Sequence, residues 1–189
     1  KVNYSSAPYS VHPYQSINYV SSHDDLNLVD KLQISNPDAS QEDLLKYDKL
    51  AQTIVFTSQG VPFMFNGEEV FRSKKGVHNS FQSPDSINKI NWTNKSIYKD
   101  LYTYYKALIS LRKNHPAFRM QRTEDIQEKL HFLDTGQNGV IAYTLGEYAN
   151  DDLWKEILVV FNGNKMDKQI EIPKEEWIIV GKDGKIDED

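Results

Sequence analysis

The sequence predicts an α/β half followed by an all-β half. Two strand-like apolar runs, at 17–21 and 61–65, alternate with two long segments of helical apolar spacing. The second of these runs is continuously apolar, which suits a strand covered on both faces of a parallel sheet. Beyond Pro116 the helical spacing gives way to short strand-like runs separated by turn residues, the pattern of a small antiparallel sandwich.

The first run, Ile17-Asn-Tyr-Val-Ser21, is rich in β-branched and aromatic residues and passes directly into the polar cluster Ser22-His-Asp-Asp25. A helix is expected from about Ser40, with Ser40 as its cap and Asp43 at the capping-box position. Leu44, Tyr47, Ala51 and Ile54/Val55 give it an apolar face, and Gly60 ends it. In the run Val61–Phe65, Pro62 lies near the start, where a missing N–H does least harm. The polar stretch from Asn66 to about Lys95 is too long for a plain connector and points to a functional loop. A second helix is expected over Ile97–Lys113, with Leu101, Tyr104/Tyr105, Leu108 and Leu111 as its buried stripe, ending at Asn114-His-Pro116.

The later strands are expected at Leu130–Leu133, Val140–Leu145, Ile157–Phe161, Gln169–Ile172 and Trp177–Val180. Gly136/Gly139, Asn162-Gly163 and Asp183-Gly184 punctuate them. A boundary near residue 118 divides the chain into 1–117 and 118–189. Two parallel strands alone leave both sheet edges and most of both faces uncovered, so the first half reads as part of something larger.

Composition narrows the function classes. With 39% hydrophobic and 12% aromatic residues in 189, the chain can bury one core or two small ones. A net charge of −5 gives no electrostatic footprint for nucleic acid or anionic lipid. No run of membrane-spanning length occurs, and Lys1–Pro13 lacks the apolar core of a signal peptide. A longer parent leaves location open, cytoplasmic or secreted. The absence of cysteine excludes disulfides, thiolate metal sites and thiol nucleophiles. Glycosylation triplets start at Asn3, Asn91 and Asn94, a pattern that chance produces often.

Three groups of residues can carry chemistry. The His23–Asp24–Asp25 cluster follows a buried-type strand, where α/β barrels put their catalytic groups. An imidazole can donate to a sugar hydroxyl, and a carboxylate can accept from two and stabilise a cationic ring. A plain capped turn explains the same residues slightly better on spacing alone. A metal phosphohydrolase pair is a further reading, but no second His pair has ligand spacing, and no metal site is expected. Next, Gly67-Glu-Glu69 follows the second strand; a carboxylate here could brace a loop or touch substrate, although a surface charge pair is the simpler account, and Arg72 could pair with one of these acids. Finally, the loop from His78-Asn-Ser-Phe81 through Asp85 and Asn88 to Trp92 mixes amides, a carboxylate and aromatics, as sugar sites do and as an ordinary solvated loop also does. Tyr102, Tyr104 and Tyr105 read as helix packing rather than a binding platform.

Four motifs carry a resemblance. The segment 17–32, with Val20-Ser-Ser-His-Asp-Asp25, resembles the region after barrel strand 7 in the type I pullulanase form of the α-amylase superfamily (glycoside hydrolase family 13). Ala51–Glu69 resembles the next helix and strand 8. His78-Asn-Ser80, Ser83-Pro-Asp85, Ile87-Asn88 and Ile90-Asn-Trp92 resemble the substrate loop, and Leu108–Met120 the last barrel helix and its exit. The resemblance implies the last two strand–helix units of a (β/α)8 barrel, then a C-terminal β-domain, in an enzyme that cleaves α-1,6-glucosidic links in pullulan, branched starch or glycogen with retention. It gives Asp24 the role of the third carboxylate, which stabilises the transition state, and His23 that of a sugar ligand at the cleaved bond. Glu69 matches the family's acid after strand 8, and Asn79 and Asp85 match its loop polar groups; Asp25, Asn79 and Asp85 are the expected substrate-binding residues, and Glu69 and Arg72 the expected supporting ones.

There are departures: Asp25 stands where Asn is usual, and Ser21 where Glu is frequent. The implied parent is bacterial and needs no cofactor, and a calcium ion in it is not assignable to these residues. Strands 1 to 6, with the Asp nucleophile and the Glu acid/base, fall outside the matched segments, so the chain alone is expected to be inactive and its partner to be the N-terminal part of the same enzyme. Two other readings stand beside this one: a non-catalytic glucan-binding or structural module, for which Trp154 and Trp177 are the candidate aromatics, and part of a branching transferase, against which the 83–92 loop argues.

Overall fold

The computed structural model describes residues 10–188, and the Asn3 triplet lies outside them. In chain order the elements begin with β1 (Ile17–Asn18), α1 (Leu28–Ser35), α2 (Gln41–Thr57) and β2 (Val61–Pro62). The short helices α3 (Asp85–Asn88) and α4 (Asn94–Ile97) then precede the long α5 (Lys99–Asn114). The remainder holds α6 (Thr123–Lys129), β3 (Leu130–Leu133), β4 (Val140–Leu145), β5 (Ile157–Asn162), β6 (Gly181–Lys182) and β7 (Lys185–Ile186).

The Val61 N–H donates to the Ser16 carbonyl at 2.8 Å, and the Phe63 N–H to the Asn18 carbonyl at 2.9 Å. Donor and acceptor both advance by two residues in the same direction, so β1 and β2 pair in parallel. Each ladder is shorter than the expected runs 17–21 and 61–65. With one neighbour apiece, the alternate residues Ile17 and Tyr19, and Val61 and Phe63, stay exposed.

Ser40 caps α2 as its sequence predicts. The Asp43 N–H donates to Ser40 Oγ at 3.1 Å, and the Ser40 N–H donates back to Asp43 Oδ2 at 3.3 Å. The second long helix starts at Lys99, after the separate turn of α4, and buries Leu101, Tyr104, Tyr105 and Leu108 as expected. Four helices are additions to the sequence reading: the single turns α3 and α4, and the longer α1 and α6. α1 buries Leu28 and Val29 and is closed by Asn36, whose Nδ2 donates to the Leu32 carbonyl at 3.0 Å. α6 buries Ile126.

The described residues fall into two compact units. One takes in 10–17, Thr57–Val61 and Leu111–Val180. Its sheet runs β3–β4–β5, antiparallel throughout, with Leu130 opposite Leu145 and Val140 opposite Asn162. Ala142, Tyr143, Leu145, Ile126, Phe118 and Met120 are among its buried residues. Arg112 is buried and donates to the carbonyls of Ser58 and Gly60 at 2.8 Å each. The Tyr143 hydroxyl donates to the Thr57 carbonyl at 2.8 Å, and the Thr123 hydroxyl to that of Val11. These bonds attach 10–17 and 57–61 to the β-rich part, so the units interleave in sequence where the sequence reading expects one cut near residue 118. A buried His115–Asp152 pair (2.9 Å), with Trp154 stacked on the imidazole, holds the turn that follows α5.

The other unit comprises Asn18–Phe56, Pro62–Ser110 and 181–188. Its core has one cluster of Val29, Leu44, Phe71, Leu101 and Tyr105 and another of Val55, Phe56, Tyr104 and Leu108.

The expected sandwich is corrected. The described residues hold one three-stranded antiparallel sheet and the β6–β7 hairpin. Gln169–Ile172 and Trp177–Val180 form no strands. Pro173 and the charged run 174–176 separate the two expected strands, and Ile178 and Ile179 lie exposed. Asp183-Gly184 turns the hairpin with both residues at positive φ, 52° and 70°.

Candidate functional site

The site is built by two segments of the second unit, one following β1 and one following β2. Burial of Leu28, Val29 and Asp30 at the start of α1 fixes the far end of the Ser22–Asp25 turn. On that turn His23 Nε2 lies 3.4 Å from Asp24 Oδ1, with both side chains more than four-fifths exposed. Asp24 therefore presents its carboxylate to solvent beside an imidazole.

Asp25 adopts φ 61°, a left-handed conformation that short polar side chains tolerate. Its Oδ1 accepts the Leu26 N–H at 2.8 Å and lies 2.6 Å from His78 Nδ1. The Leu26 bond first, and His78 after it, hold the Asp25 carboxyl below the usual range. This contact joins the turn after β1 to the loop after β2.

Three polar residues beneath the turn complete the connection. Asn27 Nδ2 donates to the Arg72 carbonyl at 2.8 Å. The Asp30 carboxylate accepts the Lys74 N–H at 2.7 Å and the Ser73 hydroxyl at 2.5 Å. Lys74, 1% exposed, sends its Nζ to the carbonyls of Asp25 (2.7 Å) and His23 (3.2 Å).

Glu68, not Glu69, is the buried acid after β2. It accepts hydrogen bonds from Ser21 Oγ, Gln52 Nε2 (2.8 Å) and the Phe65 N–H (3.2 Å). Burial pushes its carboxyl up to about 7 against those bonds. On α2, burial pushes the Asp48 carboxyl up to about 8, while the Tyr105 hydroxyl donates to it at 2.7 Å. Ser21, a departure from the usual Glu in the sequence reading, thus meets an acid supplied from the other segment.

Glu69 is half-buried and accepts the Gly67 N–H at 3.0 Å, bracing its own turn. Arg72 does not bond either acid among the described residues. Its guanidinium donates to the carbonyls of Asn66 (3.0 Å) and Asn88 and lies 5.0 Å over the Phe65 ring. Asn88 Nδ2 in turn donates to the carbonyls of Ser80 (2.6 Å) and Ser83 (2.9 Å), which rounds the loop.

Asn79 and Asp85 are exposed on that loop, Asp85 opening α3. Among the described residues no hydrogen bond joins either to the His23–Asp25 turn. Phe81 and Trp92 on the same stretch are exposed. Sequence reasoning missed Lys74 and Asp30 as parts of the site, and it named His78 and Glu68 only as members of their segments, with no partner for either. The Asp at position 25 was a signal for a cationic partner; nothing in the sequence marks Lys74 as buried. Among the described residues, no group of three or more acidic and imidazole side chains is placed to hold a metal ion.

The arrangement offers an exposed carboxylate and imidazole on a tightly held turn, beside a loop of exposed amide, carboxylate and aromatic groups. It can hydrogen-bond a polyhydroxylated ligand and stack on its apolar faces.

Comparisons with known proteins agree with this. A family model described as "Pullulanase, all-beta domain" matches residues 126–185. The pullulanase of Bacillus subtilis (strain 168) is 40% identical over 169 residues, covering 89% of this chain and 23% of that protein. Among solved structures, a pullulanase from Bacillus acidopullulyticus superposes with a TM-score of 0.92 at 44% identity, over 94% of this chain and 22% of that one. A pullulanase from Paenibacillus barengoltzii, in complex with maltohexaose and alpha-cyclodextrin, gives a TM-score of 0.85 at 39% identity, over 87% and 25%. The chain thus spans about a quarter or less of the length of these relatives. Over most of its length the chain is similar to pullulanases at 39–44% identity, consistent with a C-terminal portion of a type I pullulanase.

Proposed function

We propose that this chain is the segment of a debranching glycoside hydrolase that supplies its third carboxylate and part of its substrate loop. The parent cleaves α-1,6-glucosidic links in pullulan and branched starch or glycogen with retention. In this reading β1 and β2 are the last two strands of a (β/α)8 barrel, a division near residue 118 separates barrel from β-domain, and the nucleophile and acid/base lie outside these 189 residues. The observation that carries the reading is the exposed His23–Asp24 pair on the turn that follows a parallel strand. A carboxylate there can accept hydrogen bonds from two sugar hydroxyls and stabilise the oxocarbenium-like ring, while the imidazole donates to a third. Asp25, Asn79 and Asp85 bind neighbouring sugar units. Glu69 and Arg72 shape the loop through their backbone contacts. The maltohexaose complex of the Paenibacillus relative supports a glucan as the ligand.

The test is Asp24→Asn in the longer enzyme. Loss of one preorganised charge that acts in the transition state is expected to lower kcat on pullulan by about a thousandfold, with the folded state retained. Wild-type kcat in that variant would remove Asp24 from the machinery.

A further inference from the structure

We propose that Lys74 is the positioning residue of the His23–Asp24–Asp25 turn. The inference rests on the functional reading above, since it concerns how Asp24 is held for that chemistry. Burying a lysine is costly, and the side chain has the length to reach solvent instead. Here the neighbours on either side, Ser73 and Lys75, are exposed, while Lys74 is 1% exposed. Water is therefore one residue away, yet the ammonium turns inward. It does so onto the carbonyls of the two residues that flank Asp24, at 3.2 Å for His23 and 2.7 Å for Asp25.

The base of the lysine is fixed independently. Asp30, buried on α1, takes the Lys74 N–H and the Ser73 hydroxyl with its two oxygens, and Asn27 holds the Arg72 carbonyl. The side chain therefore extends from an anchored backbone. The turn has little other internal structure: Asp25 sits at positive φ, and the Leu26 N–H bonds back to the Asp25 side chain rather than to backbone. The His23 carbonyl belongs to the peptide that enters Asp24 and the Asp25 carbonyl to the peptide that leaves Asp25, so the two charge-assisted bonds pin the turn just before Asp24 and one residue beyond it, and restrict the direction of the Asp24 Cα–Cβ bond. Lys74 touches no substrate in this arrangement; it acts through Asp24.

Lys74→Met keeps the length and apolar stem and removes both donors. In the longer enzyme it is expected to lower kcat on pullulan by about tenfold to a hundredfold. KM should stay within about threefold, because an interaction realised in the transition state has been weakened. Lys74→Arg, which keeps charge and donors, should recover part of the loss. Wild-type kcat in Lys74→Met, or a loss that only follows its unfolded fraction, overturns the proposal.

Hydrogen exchange of the same variant provides the second measurement. The Leu26 amide, held by Asp25 Oδ1, should exchange about tenfold faster while those of α5 do not change. Unchanged exchange at Leu26 overturns the positioning role by itself. If the wild-type enzyme fails to cleave pullulan, the functional reading falls alone, and hydrogen exchange still decides what Lys74 does.

Discussion

Gly67 takes φ 98°, a conformation that side chains rarely adopt, directly after the second strand segment. A Cβ added there would lie 2.6 Å from Arg72 Cδ. Arg72 cannot easily retreat, because its guanidinium is held by the carbonyls of Asn66 and Asn88 over the Phe65 ring. Gly67→Ala therefore meets backbone strain and a pinned neighbour together. It is expected to cost about 1–3 kcal/mol, read as a lower urea midpoint at unchanged slope. An unchanged midpoint would mean that Arg72 swings out freely and does not organise the loop. At this scale the sequence was informative about which residues are polar and adjacent. His23-Asp24 stood out because two chemically active groups follow an apolar run. Lys74 did not, because nothing local distinguishes a lysine that turns inward from the exposed Lys75 beside it. Glu68 and Glu69 were likewise indistinguishable until the partners Ser21 and Gln52 came from elsewhere in the chain.

Helix α2 carries Asp48 and Gln52 one turn apart on its buried side, where they meet Tyr105 of α5 and Glu68 after β2. Burial raises Asp48 to about 8 from 3.8 and Glu68 to about 7 from 4.5, and each acid's charge opposes ionisation of its neighbours, Glu68 acting on Asp48 and Glu69 on Glu68. Between the unfolded and folded values the native state binds more protons than the unfolded chain. Stability is then fullest below about pH 4 with respect to these two groups, and it is lost as pH rises through 7 and 8. The melting midpoint should fall between pH 5 and pH 8, by roughly 2–4 °C for each kcal/mol lost. Asp48→Asn should flatten that slope, since the amide oxygen still accepts from Tyr105 and no charge develops. A midpoint that rises over the same range, or an undiminished slope in Asp48→Asn, would show that the pair is hydrated in solution. The helices themselves were legible where length let their period appear, as in α2 and α5. They were not where seven or eight residues give barely two turns, as in α1 and α6. Strand lengths failed for another reason: a ladder extends only as far as its neighbour does, and β1 and β2 have one neighbour each.

At the scale of the whole molecule, the second unit holds the candidate site, and the proposed reaction asks for more carboxylates than Asp24. Retaining hydrolysis needs a nucleophile and an acid about 5–5.5 Å apart across the scissile bond. In the site Asp24 and Asp85 are the carboxylates free of tight partners among the described residues, and no hydrogen bond joins Asp85 to the His23–Asp25 turn. Asp25 is held ionised by the Leu26 N–H and His78, so it is a poor proton donor. Glu68 keeps its proton more readily but is 3% exposed and bonded to Ser21 and Gln52, out of reach of a glucan. Catalytic groups of this kind act as a unit, so one without the others gives little of the rate. The purified 189-residue chain is accordingly expected to release no reducing ends from pullulan, under conditions where the longer enzyme does. Activity from the chain at its own mass would require both bond-breaking carboxylates to come from within it, and Asp24 would then have to be reassigned from stabiliser to one of them.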